Sequence, residues 1–583
     1  MPAQVIETNK TPFKELDIDP VTLDIIGEMI VGQFGSFIDG FFKSWDGSLE
    51  EGDMIFLSDP YSCEGAISHS NDWLVMLPVF KDGRLVAYTA MFGHQSDIGG
   101  MVPGSMPIEA TSIFQEGVRI PPVKIWKKGE YNEDLMKLVM HQTRTPDWCQ
   151  ADLNALIASC RVAANRVIEM CERFGDDVYY SATKELLARN HRAMKALIGQ
   201  AIPEAKASFE DYICDDGKGF GPYKIKCTMW REGEKVILDF DGTDPQSVAS
   251  INFYLNENMF KMFFGIYMIM VFDPQILFND GFYDLIEVRI PEGSLLKPQF
   301  PAALSGRTHA LGRIFDILGG LLGQGTPEFL NAAGFSSSPH LFYSGWDQRE
   351  DRSGAKKRDW FQLFQIGFGG IPGRPLGDGP DGHSLWPGFT NVPNEFLERY
   401  FPLRIERGGN GIHMTYRFLA DGEIAIHDDR WFVPPWGVNG GHPGARAKKV
   451  LERLDGSTEI VGNKVEDVSV KAGELLHFIT WGGAGWGDPL ERDPELVGLE
   501  IRQGLVTAEG AKAYGVIADA KGVVDVSATD ALRETMRSER GELSLFDYGP
   551  DIETLRERCE EETGLPAPIQ PVWHHENQAE AAE

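Results

Sequence analysis

Positive charge is scarce in this chain: 55 Lys and Arg residues stand against 87 Asp and Glu, a formal charge of −32. Proteins that hold nucleic acid do so mainly by lining up cations against phosphates, so nucleic acid is excluded as a main partner. Long apolar runs are missing too. The longest, Met262 to Phe272, falls well short of the ~20 residues that a helix needs to cross a bilayer. The opening MPAQVIETNKTPFKELDIDP has neither the basic nor the apolar region of a secretory leader. These absences predict a soluble, cytoplasmic protein with no membrane partner. Cysteine is sparse: seven residues, scattered, odd in number and with no CxxC pair, so neither a disulfide framework nor a structural zinc site is indicated. Cys160 and Cys171 fall on one apolar helical stripe and are expected to fill core.

Glycine and proline, by contrast, are plentiful, at 64 and 34 residues, and much of the glycine lies between Gly367 and Gly487. There it is interspersed with aromatics, as in FGGIPGRPLGDGPDG and WGGAGWGDP. Flexible linkers lack such Trp and Phe, so packed, extended segments of the polyproline II type are expected. A second punctuated stretch, FGHQSDIGGMVPGSMPIEATSIFQEGVRIPPV from Phe92 to Val123, gathers His94, Gln95, Asp97, Glu116 and Arg119. So much Gly and Pro suits neither a long helix nor a central strand. The stretch reads as a loop that presents side chains from a rigid frame.

Two apolar runs, Trp73 to Phe80 and Leu85 to Phe92, are separated by Lys81-Asp82-Gly83-Arg84, and Asp-Gly is a strong hairpin-turn signal. With Asp82 and Gly83 as the turn, paired residue numbers sum to 165, which sets Asp72 opposite Gly93 and Asn71 opposite His94. That register brings two His-x-x-Asp modules together, His69 with Asp72 and His94 with Asp97. Two imidazoles and two carboxylates suit a divalent transition metal, and a carboxylate can also orient an imidazole for proton transfer. A hydrogen-bonded loop scaffold is the alternative.

Elsewhere, Asp19 and Pro20 open an amphipathic helix over about 20 to 44. Thr145, Pro146 and Asp147 open a long one whose face carries Leu153, Leu156, Ile157, Cys160, Ala164, Val167, Ile168 and Cys171. Another runs from near Ser181 to Pro203. Tyr223 to Trp230 and Lys235 to Phe240 read as strands, followed by DGTDPQ, where DFDGTD is a turn rather than a calcium loop. Met259 to Phe272 suits a buried helix. Ser305 to Leu322 reads as a helix entered through a polar loop, without the Gly-Lys-Ser/Thr of a nucleotide cradle. Arg307 and His309 could reach a ligand at its start, with capping as the plainer role. His413 to Leu419 and Glu423 to His427 make a further hairpin around Ala420-Asp421-Gly422. The expected regions are 1–210 (first helix, hairpin, site loop and long helices), 211–345 (α/β core), 346–492 (Gly-rich) and 493–583 (helical segment and frayed tail).

LSDPYSCEGAISHSNDWLVMLPVF and GHQSDIGGMVPGSMPIEATSIFQEGVRIPPVKI, followed in order by RTPDWCQADLNALIASCRVAANR, IPEGSLLKP, DGPDGHSLWPGFTN, NEFLERYFPLRI, FVPPWGVNGG and GGAGWGDPLERDPE, resemble the hydantoinase B/oxoprolinase family over nearly the whole chain. The resemblance implies an α+β fold in which β-sheets take a barrel-like arrangement with flanking helices, beside a bundle of short polyproline-like segments. It also implies a subunit of an ATP-dependent complex, either a hydrolase of 5-oxoproline, hydantoins and lactams or a biotin-independent ketone carboxylase. In such complexes ATP with Mg is handled by an actin-like hydantoinase-A-type partner, and a small third subunit can be present. Family members with a metal site draw ligands from an N-terminal Asp, from the His-x-x-Asp of the loop and from a His just before IPP. This chain keeps His94 and Asp97, has Gln95 where a second loop His is usual, and has Arg119 before IPP. Asp39 and Asp46 are the only nearby carboxylates on the helix side, and neither lies in a matching motif. Two matched ligands are too few for a tight site unless His69, Asp72 or Glu116 substitutes, so no metal ligand is assigned.

The resulting expectation is a subunit of an acetophenone-type carboxylase taking a small ketone and bicarbonate within a hetero-oligomer. His94 and Asp97 would handle protons or ligand, and Arg119, a bidentate guanidinium, would clamp an anion unless it is spent in a salt bridge. His69, Asp72, Gln95 and Glu116 would line the substrate. A lactam or hydantoin hydrolase subunit and a non-catalytic scaffold are the rival expectations.

Overall fold

Five strands, β1 (Met54–Leu57), β2 (Asp72–Lys81), β3 (Arg84–His94), β4 (Val123–Lys127) and β5 (Glu130–Tyr131), form an antiparallel sheet in the order β3-β2-β1-β4-β5. The computed structural model describes residues 35–572 apart from 46, 335–338, 351–353, 355–358, 376, 380–392 and 408–412. Positions 20–34 of the first expected helix, part of DGPDGHSLWPGFTN, Asp46 and the side chain of Asp39 lie outside the described residues.

The β2–β3 turn is built as its sequence demands: Asp82 and Gly83 both have positive φ, 50° and 74°, the backbone of a tight hairpin. Lys81 pairs with Arg84 and Phe80 with Leu85, the expected register. One residue later the register shifts. Val86 is an extra residue on β3, buried against Val79 and Ala164, and from Val79↔Ala87 onward every pair is displaced by one. This bulge corrects the expected pairing: His94, not Gly93, stands opposite Asp72. A bulge of this kind adds a residue to one strand and re-aims the side chains beyond it.

The sheet is covered on both faces. Ile55, Leu57, Leu74 and Met76 enter the main core, while Met54, Phe56, Trp73 and Val75 meet the long helix. Helices α1 (Gly35–Ser44), α2 (Glu133–Met140), α3 (Pro146–Phe174) and α4 (Asp176–Ala201) accompany this region. Proline occupies the first turn of α3, and Leu153, Leu156, Ile157 and Cys160 lie on the sheet as the periodicity requires. Each such burial contributes roughly 1.5–3 kcal/mol. α4 starts at Asp176, ahead of the expected Ser181.

A second sheet, β6 (Ala207–Ile213), β7 (Tyr223–Glu232), β8 (Lys235–Asp239) and β9 (Ile286–Arg289), is ordered β6-β7-β8-β9, with β8 and β9 parallel and α5 (Glu257–Phe272) between them in sequence. Next, α6 (Thr308–Gly325) packs on β6 and β7, and its buried Arg313 and Asp316 join a charged network described below.

The chain continues through β10 (His340–Trp346), β11 (Trp360–Ile366), α7 (Asn394–Tyr400), β12 (Leu403–Arg407), β13 (His413–Phe418), β14 (Gly422–His427), β15 (Gly437–Val438), β16 (Lys448–Glu452), β17 (Thr458–Val461), β18 (Lys464–Val470) and β19 (Leu475–Ile479). Two sheets result, β11-β10-β14-β18 and β12-β13-β19-β16-β17, with a shared core that includes Leu341, Tyr343, Tyr416, Ile424 and Phe478. β13 and β14 exist as expected but do not form a hairpin. They belong to different sheets, because each gains more by burying its apolar face in that shared core than by pairing across a three-residue loop. The fold is therefore α+β with several open sheets, and among the described residues none closes into a barrel. The closing segment carries α8 (Pro494–Gln503), α9 (Val526–Glu539), β20 (Phe546–Asp547) and α10 (Ile552–Thr563), with β20 pairing β15.

The glycine-rich stretches are packed backbone on backbone. Gly370 N–H donates to Trp481 O, Gly373 to Ala484 and Gly482 to Ala445. A Cβ on Gly370 would stand 2.1 Å from Gly483 N, so only glycine allows this approach. All seven cysteines are free and buried. Among the described residues no helix is long and apolar enough to cross a membrane.

Candidate functional site

At the open end of the β2–β3 hairpin, His69, Asp72 and His94 meet. His94 Nδ1 is 3.3 Å from Asp72 Oδ1, and His69 Nδ1 is 2.8 Å from Asp72 Oδ2, an ion-pair distance at an angle poor for a hydrogen bond. The two imidazoles stack with centroids 4.9 Å apart. The bulge at Val86 produces this meeting, since the hairpin without it would turn His94 toward Asn71. His69 is buried, and burial pushes its pKa down to about 3, so the ring is neutral. Burial opposes the charge of Asp72, yet His69, His94 and Arg307 together hold its carboxyl well below the ordinary range. The side chain of His94 keeps 30% of its surface exposed and that of Asp72 12%, so the cluster is reached from solvent past His94.

Of the four residues expected to converge, Asp97 stays apart. Its carboxylate accepts from Gly99 N–H at 2.9 Å, Gly104 N–H at 3.0 Å, Arg144 N–H at 2.9 Å and Arg144 Nη1 at 3.0 Å. It stitches the 97–104 loop to the start of α3. Gln95 is buried, and its backbone exchanges hydrogen bonds with Asn71. Arg119 directs its fork at Asp59, Nε to Oδ1 at 3.2 Å and Nη2 to Oδ2 at 2.7 Å, with its guanidinium over the rings of Phe114 and Phe300, which themselves touch edge to face. The salt bridge that competes with an anion-clamping role is thus made, with Asp59 as the partner.

Glu116 is buried and accepts the N–H groups of Leu304 and Ser305 at the entrance to α6. Burial raises its pKa from 4.5 to about 8. The folded chain thus holds a proton that the unfolded chain releases near pH 4.5, and this group's contribution to stability falls between pH 4.5 and 8 by about 1.4 kcal/mol per unit. Glu116→Gln is expected to match the wild type near pH 5 and exceed it by about 2–4 kcal/mol at pH 8 in urea titrations. Equal stabilities at both pH values would refute a buried, protonated Glu116.

Distant segments complete the surroundings. Arg307, just before α6, donates from Nε to Ser68 Oγ at 2.5 Å and lies 3.4 Å from Asp72 Oδ2 through Nη2. Phe364 on β11 packs beside His94 at 5.7 Å and stacks on His340 of β10 at 5.0 Å and on Phe342 at 4.9 Å. His340 pairs across the sheet with His427. Burial keeps both imidazoles neutral, the second pushed down to about 3. Sequence reasoning missed His340 and Phe364 because a lone His or Phe in a strand carries no signal of what faces it. Behind them lies a charged network: Arg430 with Asp211 and Asp316, Arg313 with Asp429, and Lys464 with Asp429 and Asp215.

The fold presents a carboxylate shared by two imidazoles, where two sheets and a helix start meet, an arrangement chemically able to move a proton or hold a cation. The chain belongs to the hydantoinase B/oxoprolinase family, which matches residues 26–489. It is 28% identical over 527 residues to the caprolactamase beta subunit of Pseudomonas jessenii, covering 85% of this chain and 87% of that one. It is 25% identical over 617 residues to the acetophenone carboxylase delta subunit of Aromatoleum aromaticum, covering 92% and 86%. The structure of the ATP-dependent caprolactamase from Pseudomonas jessenii superposes with a TM-score of 0.75 at 24% identity, over 89% of this chain and 100% of that one. The chain is thus related to subunits of carboxylase and of lactam-hydrolase complexes.

Proposed function

We propose that this chain is the B-type subunit of an ATP-dependent complex that opens a cyclic amide, a lactam or a hydantoin. The observation that carries this reading is the Asp72–His94 pair, in which a carboxylate orients an imidazole whose side chain is open to solvent. With Nδ1–H assigned toward Asp72, Nε2 is the proton acceptor. An actin-like partner would use ATP with Mg to phosphorylate the amide oxygen. Water then gives its proton to His94 Nε2 as its oxygen bonds to the amide carbon. The ring C–N bond of the adduct then breaks as the nitrogen takes that proton, leaving an acyl phosphate. A second water hydrolyses it to the carboxylate of the amino acid and inorganic phosphate, ADP having formed in the partner's phosphorylation step. His69, Asp72 and His94 also offer one ligand atom each within 4.8 Å of one another, a fit for a divalent transition cation, which would make a bound water more acidic.

Within this reading Asp97 and Arg119, whose polar atoms are engaged by Arg144 and Asp59, shape the loop, while Gln95, Glu116 and His69 line the substrate side. Arg119 with its fork occupied no longer argues for an anion clamp, the feature that favoured carboxylation. A second reading, ketone carboxylation with bicarbonate, draws on the aromatic wall of Phe364 and Phe342 beside His94, which suits an aryl ketone and excludes water. Co-purified complex incubated with ATP and caprolactam, hydantoin or 5-oxoproline is expected to release the ring-opened acid with ADP. If no ring opens and labelled bicarbonate enters a β-keto acid from acetophenone, the carboxylase reading replaces the first.

A further inference from the structure

The geometry points to Arg307 and His340 as a subsite for a small oxyanion beside the Asp72–His94 pair, a role that rests on the hydrolase reading and names what the activated carbonyl carries there. Arg307 spends Nε on Ser68 and Nη2 on Asp72, and its buried Nη1 has no hydrogen-bond partner among the described residues. A guanidinium that leaves one amino group unsatisfied away from water is costly unless a ligand takes it up. His340, 4% exposed, is in the same position, since its Nδ1 also has no partner among the described residues. Phe364 packs against both His340 and His94, at 5.0 and 5.7 Å, and His340 senses the charge of Arg307. His340, with its proton assigned to Nδ1, thus borders the cluster from the second β-rich half, while Arg307 borders it through Asp72.

Three further facts favour an anion. Arg307 stands at the start of the 18-residue α6, whose first N–H groups and dipole reinforce its charge. Its side chain and that of Asp72 each keep 12% exposure, so the subsite borders the same opening as His94. The negative groups nearby are Asp72, already shared with two imidazoles, and Glu116, which burial holds largely protonated at neutral pH. The oxyanion has two chemical sources, the phosphoryl group on an activated amide oxygen or bicarbonate awaiting transfer. Both present anionic oxygens that the unpartnered Nη1–H groups of a guanidinium bind well.

The test is calorimetric titration of the full-length chain with inorganic phosphate and, separately, with bicarbonate, for the wild type, Arg307→Lys, Arg307→Gln and His340→Phe. Saturable binding of one oxyanion is expected, weakened at least tenfold in Arg307→Gln and His340→Phe and less in Arg307→Lys, which keeps the charge without the fork. Phosphate alone assigns the phosphoryl source, and bicarbonate alone the carboxylation source. Should neither bind the wild type, or should Arg307→Lys and His340→Phe both bind as the wild type does, the subsite is rejected. The titration needs no turnover. Ring opening by the complex without Arg307-dependent oxyanion binding therefore removes the subsite and keeps the hydrolase reading, and the reverse pattern removes that reading alone.

Discussion

Arg430→Met is expected to cost about 3–5 kcal/mol of folding stability, the usual penalty for removing one partner of a buried ion pair. Arg430 is fully buried, with Nη1 2.8 Å from Asp211 Oδ1 and Nη2 2.5 Å from Asp211 Oδ2 and 2.8 Å from Asp316 Oδ2. Methionine nearly fills the volume but leaves two carboxylates facing each other in a dry interior. Arg313, whose Nη2 already serves Asp429, reaches Asp211 only at 4.0 Å and cannot replace it. The double variant Arg430→Met with Asp211→Asn is expected to recover part of the loss, because it withdraws one of the stranded charges. Urea unfolding measures both, and a single variant within 0.5 kcal/mol of the wild type, the usual range for an exposed position, would show that the network is not a clamp. The consequence reaches the site. Asp316 lies on α6 and Asp211 on β6, so Arg430 fixes the helix whose start carries Arg307.

What could be read in the sequence was local. Asp82-Gly83 announced the hairpin and its register near the turn, Thr145 and Pro146 announced α3, and the spacing of Leu153 to Cys160 announced the face that covers the sheet. The meeting of His69, Asp72 and His94 was expected from two motifs on one hairpin, and its one-residue error came from Val86, because a bulge has no residue signature of its own. The direction of Asp97 was hidden for another reason. Its partners are backbone N–H groups of Gly99, Gly104 and Arg144, and a glycine-rich loop can fold around a carboxylate or present it outward with the same letters. Long-range partners were beyond reach. Arg430 finds Asp211 and Asp316 across 219 and 114 positions, and Arg307 finds Asp72 across 235. The β13–β14 hairpin failed on similar grounds, since a short polar loop fits a hairpin as well as a crossing between sheets, and the choice is made by strands lying elsewhere in the chain.

Asp72→Asn and Asp97→Asn are expected to fail in opposite ways, and the contrast separates chemistry from framework within one loop and hairpin. In the assembled complex Asp72→Asn is expected to lower kcat by about 10²–10⁴, the range for losing a positioned acid–base group. An amide cannot balance the imidazolium that His94 becomes after taking a proton, and its own N–H can turn the ring to the wrong tautomer. Folding should survive better than turnover, because Arg307 keeps Ser68 and is partly exposed. Asp97 is different. It is fully buried and holds three backbone N–H groups and a guanidinium, so an asparagine amide would set donor against donor at Gly104 and Arg144. A loss of about 3–5 kcal/mol is expected, with hydrogen exchange rising across residues 97–104 and with kcat per folded molecule changed far less than in Asp72→Asn. Urea unfolding and single-turnover rates on both variants decide the matter. If Asp97→Asn folds like the wild type and abolishes turnover while Asp72→Asn turns over normally, the proton-handling pair must be moved from Asp72 and His94 to Asp97 and its neighbours, and the bulge at Val86 loses its functional meaning.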